Sequence, residues 1–272
     1  MSSRPDLKVA IAGLGAIGKV LASRLSEGEV GGCRLSAVSG RDPVKTEAFL
    51  KTLAYPVPNV GLDELAEVAD VIIECAPAAV LHQIVEPALA AGKKIIVLSV
   101  GALLEAPELM EKAASNGGQI MVPSGALLGL DAVTAAAEGS IQSVRMTSRK
   151  PPIGFKDAPI LAEKNLSIDG LTEPLLLYSG SARAAATSFP ANLNVAIALS
   201  LAGVGPDKTM LEVWADPGVV RNTHHIELVS DSALLNMTIE NIPSENPKTG
   251  RITAQSVLAM LRKMSAPVRV GT

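Results

Sequence analysis

Rings are scarce in this chain: aromatic residues occupy 2% of its 272 positions. The 48% of hydrophobic residues must therefore build an aliphatic core from Ala, Val, Leu and Ile, where a ligand seldom finds a ring to stack on. With charged residues at 19%, that core is ample for a globular protein and excludes a disordered one. Excess positive charge is missing too. A formal net charge of −3 leaves no basic footprint for nucleic acid, so an anionic substrate has to be met by a few local cations. The two cysteines, Cys33 and Cys75, form no disulfide framework and fit no metal-ligand spacing; small buried thiols are expected. No run approaches the ~18 uninterrupted apolar residues of a membrane span, and the polar start MSSRPDLK lacks the layout of a cleavable signal. A reduced, cytoplasmic protein with no membrane or nucleic-acid partner is the expectation.

What is present alternates. Short apolar runs at residues 8–12, 34–38, 71–74, 95–98 and 119–122 read as strands. Helical patterns at 17–25, 44–52, 79–91 and 107–115 lie between them. Continuous rather than alternating hydrophobicity in the strands implies a parallel sheet covered on both faces, hence a doubly wound α/β domain. Beyond Ser124 the pattern changes. Residues 143–148, 175–179, 210–215, 225–229 and 233–239 alternate apolar with polar, as in an antiparallel or mixed sheet with one solvated face. Helices are expected at 191–201 and 253–264. The expected organisation is a Rossmann domain over 1–125, an α+β domain with a mixed sheet over 126–250, and a last helix within 251–272 that packs back on the first domain.

Residues 12–18 read AGLGAIG, so Gly13, Gly15 and Gly18 match G-x-G-x-x-G directly after a strand and before a helix. The first glycine permits a tight turn, the second lets backbone approach a pyrophosphate, and the third lets helix pack on strand. The helix opening at Ala16 and Ile17 then aims free N–H groups at the phosphates. At the end of the second strand, where an NAD enzyme carries an acid, this chain has Ser39-Gly40-Arg41-Asp42. Arg41 suits the 2′-phosphate of NADP, which a carboxylate would repel. Asp42 keeps NAD open, and before Pro43 it also reads as a helix cap.

Three histidines exist, His82, His224 and His225. The first reads as a surface residue of a helix, while the other two stand in RNTHHIE at the start of a strand, where polar residues gather into sites. At this point the chain resembles the L-aspartate dehydrogenase family. The resemblance rests on GLGAIG, on PSGALLGLD at 123–131, on FPANLNVA at 189–196, on Asn222-Thr223-His224, and on NPKTG at 246–250. It implies a Rossmann domain joined to a mixed-sheet catalytic domain, and reversible NAD(P)-dependent oxidation of L-aspartate to iminoaspartate, which hydrolyses to oxaloacetate and ammonia. It carries the catalytic role to His224 and cofactor contacts to Ala126 and Asn194, with Asn192 adjacent. Iminoaspartate is also a precursor of quinolinate, so a place in NAD biosynthesis follows from the same resemblance.

Histidine suits the proton step because its ordinary pKa lies near neutrality. Arg149 and Lys150, before Pro151-Pro152, are candidates to clamp the substrate carboxylates, with Asn222 and Thr223 beside the histidine. Asn194 is a candidate for the nicotinamide carboxamide or simply a helix cap. No metal site is expected, and a homodimer through the mixed sheet is. Other two-domain reductases acting on homoserine, dihydrodipicolinate or a sugar share the glycine loop. The sugar class is disfavoured because Ser99-Val100-Gly101-Ala102 stands where it would carry Glu-Lys-Pro. A protein that senses NAD(P)H without turnover is the reading from a different class.

Overall fold

The computed structural model describes residues 5–156, 158–189, 193–243 and 250–272. It divides into two compact units. One runs to Gly125 and takes back Thr253–Val270; the other holds Ala126–Ile252 with Gly271–Thr272.

The first unit contains β1 (Leu7–Ala12), β2 (Cys33–Ser39), β3 (Val71–Glu74), β4 (Lys94–Val97) and β5 (Gln119–Met121). They pair in the order β2-β1-β3-β4-β5, every pair parallel. The apolar runs are buried as a two-sided sheet requires: Val9, Ala10, Ile11, Val71, Ile72, Ile73, Ile95 and Ile96 are all inaccessible or nearly so. Between the strands lie α1 (Ala16–Ser26), α2 (Pro43–Leu50), the single turn α3 (Leu65–Val68), α4 (Leu81–Ala90) and α5 (Pro107–Asn116). The helix read over 79–91 is divided, because Ala78–Val80 form a 3-10 turn before α4. Cys33 lies buried in β2, whereas Cys75 falls just past β3 and is only half-buried. Sheet order reverses between β1 and β3, so the crevice at their carboxyl ends is the switch point where such sheets bind ligands.

In the second unit β6 (Ile141–Lys150), β7 (Leu175–Ser181), β8 (Thr209–Ala215), β9 (Asn222–Ser230) and β10 (Leu234–Asn241) form a mixed sheet. Its order is β10-β9-β6-β8-β7, with β6 and β8 parallel and the other pairs antiparallel. Alternation sorts the faces. Val144, Met146, Leu211, Val213, Ile226 and Leu228 are buried on one side, and Arg145 and Glu227 are exposed on the other. The described residues of this unit also form α6 (Leu130–Ala137), α7 (Pro159–Glu163), α8 (Ala182–Ser188) and α9 (Asn194–Ala202). The helix expected from 191 starts at Asn194 among the described residues. Residues 190–192 and 244–249, which hold parts of two of the family-like segments, lie outside them.

The last helix, α10 (Ile252–Ser265), places Ala254, Val257, Leu258 and Leu261 in one core cluster with Val9, Leu21, Leu25 and Leu35. Truncating Leu261 to alanine in that cluster costs about 2–5 kcal/mol. Its Ser256 hydroxyl accepts the Gly125 N–H at 3.1 Å, and its Ser265 hydroxyl donates to the Gly31 carbonyl at 2.8 Å.

Candidate active site

The three loop glycines have three different surroundings. Gly13 turns at φ +97°, and a Cβ there would lie 2.7 Å from the carbonyl oxygen of Cys75. A Cβ on Gly18 would lie 2.0 Å from the Gly13 carbonyl oxygen. Gly15, the N-cap of α1, has nothing within 4 Å of a would-be Cβ. The turn and the helix contact are thus closed, while the middle position is open. Space at Gly15 and the free N–H groups of the first turn, at Ala16 and Ile17, fit a pyrophosphate. Gly13 N–H also donates to the Ser39 carbonyl at 2.8 Å, tying the loop to the end of β2.

The wall beside that loop is fixed by a residue not singled out in the sequence. Glu74, fully buried at the end of β3, accepts from Ala76 N–H at 3.0 Å, Leu98 N–H at 3.1 Å, Ser99 N–H at 2.8 Å and the Ser99 hydroxyl at 3.0 Å. Burial pushes its carboxyl above the ordinary range even against those four bonds. The signal was available: a carboxylate closing the otherwise apolar run VIIE has to be satisfied locally.

At the end of β2, Arg41 is exposed beyond Gly40. The Gly40 N–H donates to Asn59 Oδ1 at 2.9 Å, and a Cβ on Gly40 would fall 2.0 Å from the Thr46 hydroxyl. Asp42 caps α2, accepting Lys45 N–H at 3.1 Å, so its carboxylate is committed to the helix.

In the second unit, β9 separates the paired histidines as a strand must. His224 is 2% exposed and its Nδ1 lies 3.0 Å from the Ser148 hydroxyl. His225 turns to the opposite face, 2.8 Å from the Thr238 hydroxyl. Burial, joined by the charge of Lys150, pushes the His224 imidazole down to about 3. Far below the ordinary value of a histidine, this ring is neutral throughout the physiological range. His82 sits exposed on α4, 3.3 Å from Glu108.

The two expected carboxylate clamps separate. Lys150, 6% exposed, lies on the His224 side of β6 with its ammonium 5.7 Å from the centre of the Phe155 ring. It lines a narrow cavity with Met146, Ser148, Val195 and Val213. Arg149 points the other way, bonded to Asp216 at 2.9 Å and stacked 4.9 Å over Trp214. Neighbours on a strand cannot clamp one ligand together, and Arg149 already holds a carboxylate. Asn222 shares the face of His224, and Thr223 the face of His225. The Ala126 carbonyl accepts Asn241 Nδ2 at 2.9 Å. Asn194 is the first residue of α9 and the N-cap position falls to Leu193, so the capping alternative is set aside. Ser148, which no spacing in the sequence marks, is brought to His224 only by the pairing of β6 with β9.

Comparison with known proteins adds family context. Residues 131–264 match the family model "Aspartate dehydrogenase, C-terminal", and residues 13–123 match "Homoserine dehydrogenase, NAD binding domain". An L-aspartate dehydrogenase of Bordetella bronchiseptica is 79% identical, covering all of both chains. That of Bradyrhizobium diazoefficiens is 57% identical over 98% of this chain and 95% of its own. The crystal structure of aspartate dehydrogenase from Thermotoga maritima superposes with a TM-score of 0.72 at 24% identity, over 97% of this chain and 99% of that one.

Proposed function

Because this chain belongs to the aspartate dehydrogenase family, we propose that it oxidises L-aspartate to iminoaspartate with NAD(P)⁺, the imine then hydrolysing to oxaloacetate and ammonia. It is an oxidoreductase with a nicotinamide-binding domain. The observation that carries the substrate assignment is the 79% identity to an L-aspartate dehydrogenase over the full length of both chains.

Residues of the first unit bind the dinucleotide: Gly13, Gly15 and Gly18 with the N–H groups of Ala16 and Ile17 take the pyrophosphate. Arg41 takes a 2′-phosphate, so NADP is accepted as well as NAD. A bound nicotinamide would supply the acceptor for the hydride of the substrate Cα. Ala126 and Asn194 contact the cofactor. His224 removes a proton from the substrate ammonium, which leaves the amine electron pair to form the C=N bond as the hydride departs. In reverse the same imidazole returns the proton. Lys150 meets a substrate carboxylate, with Asn222 beside it; Arg149 and Thr223, on the far face, are left out. Pairing Lys150 with a carboxylate also relieves the charge that depresses His224, raising its basicity when substrate is bound.

The open face of the mixed sheet, where Met210 is 44% and Leu234 73% exposed, supports a homodimer built on it. Among the described residues no helix is long and apolar enough to cross a membrane. We place the enzyme in the cytoplasm, where its product suits the synthesis of quinolinate and hence of NAD. The test is consumption of NADH or NADPH with oxaloacetate and ammonium. Consumption that requires both supports the assignment. Binding of the dinucleotide without consumption would make the protein a sensor.

A further inference from the structure

Ser148 and His224 are direct partners in the antiparallel pairing of β6 with β9. At that spacing, with Cβ atoms about 4.5–5.5 Å apart, a side chain as short as serine reaches the neighbouring ring. It does so here, with Oγ 3.0 Å from Nδ1 and both residues buried. The second ring nitrogen, Nε2, makes no hydrogen bond among the described residues. Lys150, two residues along β6 on the same face, has donors and no acceptor, so it cannot receive a proton from the ring. A hydroxyl can.

We propose that Ser148 is a positioning residue that accepts the Nδ1 proton of His224, fixing the tautomer whose Nε2 lone pair is open to the substrate ammonium. The inference rests on the reading of His224 as the acid–base group. An imidazole that instead received the serine proton at Nδ1 would carry its own proton on Nε2 and could not act as a base. Two adjacent strands supply the rigidity: neither side chain sits on a loop, and both are enclosed by the buried face of the sheet. The hydroxyl itself touches no reacting atom. Its effect passes through the ring, so it should alter turnover and leave ligand affinity alone.

Three measurements decide this. Nitrogen-15 spectra of the histidine side chains, assigned with a His224→Gln variant, read the tautomer of the wild-type enzyme directly; Nδ1–H is expected. Ser148→Ala should lower kcat by about tenfold or more, with the KM for aspartate and the Kd for NADH within about twofold. It should also convert the His224 signals to Nε2–H or a mixture. Ser148→Thr, which keeps the hydroxyl and suits a strand, should stay within about threefold of wild type. A wild-type Nε2–H tautomer overturns the proposal even if Ser148→Ala fails to fold. So does a folded Ser148→Ala with wild-type kcat, and so does a Ser148→Thr as impaired as the alanine variant. An active His224→Ala would instead overturn the acid–base assignment on which the proposal stands, so the two failures are distinguishable.

Discussion

A side chain on Gly18 would place its Cβ 2.0 Å from the carbonyl oxygen of Gly13, and yet Gly15 between them has no neighbour within 4 Å of the same position. Two of the three glycines are therefore required by the fold, while the third stands beside open space. Gly15→Leu should fold normally and lose dinucleotide binding, whereas Gly18→Ala should lose stability before it loses affinity. Thermal melts and NADH fluorescence titrations on both variants separate the two effects. Normal NADH binding by a folded Gly15→Leu would leave the loop with a structural role alone.

Cofactor choice should depend on Arg41. Its replacement by alanine should weaken NADPH relative to NADH by about 1.5–3 kcal/mol, the range of a hydrogen bond to a charged group. Placing an acid at Gly40 is the obvious route toward NAD, but the contact with Thr46 blocks it. Gly40→Asp alone should destabilise the enzyme. Gly40→Asp combined with Thr46→Ala should fold better and favour NAD. Titrations of both cofactors against each variant check this, and equal losses for both at Arg41→Ala would remove the 2′-phosphate assignment.

His224→Ala should lose about 10²–10⁴ in turnover, with NAD(P)H affinity nearly intact because the glycine loop belongs to the other unit. His225→Ala is the internal control. Its ring bonds Thr238 on the opposite face, so its rate should stay within several-fold of wild type. Steady-state kinetics with aspartate decide the matter, and an inactive His225→Ala beside an active His224→Ala would reverse the assignment.

The depressed pKa of His224 has a consequence for stability. In the unfolded chain the imidazole takes its proton near pH 6.5; in the folded protein it does so only at about 3. Between those values the unfolded state binds the extra proton, so stability falls as pH falls, by up to about 1.4 kcal/mol per pH unit from this residue. Urea midpoints measured from pH 7 to pH 4 should show a shallower decline in His224→Gln. Lys150→Met, which removes the neighbouring charge, should also flatten it. An unchanged slope in His224→Gln would mean that the ring is not buried neutral.

Glu74→Ala leaves three backbone N–H groups without their acceptor, while the Ser99 hydroxyl keeps the Ala76 carbonyl at 3.3 Å. It should cost about 3 kcal/mol or more, since each buried donor left unpaired costs about 1–3 kcal/mol. Glu74→Gln keeps the shape but sets an amide N–H₂ against donors, so it should recover only part of the loss. Denaturant unfolding of the two variants checks the order.

Much of the fold class was legible locally. The switch from continuous to alternating hydrophobicity after Ser124 separates a sheet buried on both sides from one with an open face. Both sheets follow that reading. Elements without a period to read were not legible. The four residues of α3 and the short helices α6 to α8 offer too few turns for a hydrophobic stripe. Glu74 was visible as a letter and unread, because its role lies in four bonds whose partners stand up to 25 residues away.

By itself the sequence determined what depends on neighbours in the chain. A glycine that must turn, a helix that must open after it, and two histidines that must face opposite ways on one strand all follow from φ/ψ limits and the period of a strand. Tertiary structure decided what depends on distance through space. It engaged Arg149 with Asp216, closed Gly40 with Thr46, and buried His224 deeply enough to empty its ring of charge. It also set Ser148 against an imidazole 76 positions away. Such pairings come from strand register, and register is set by which faces the whole sheet can bury, a quantity no local stretch of sequence contains.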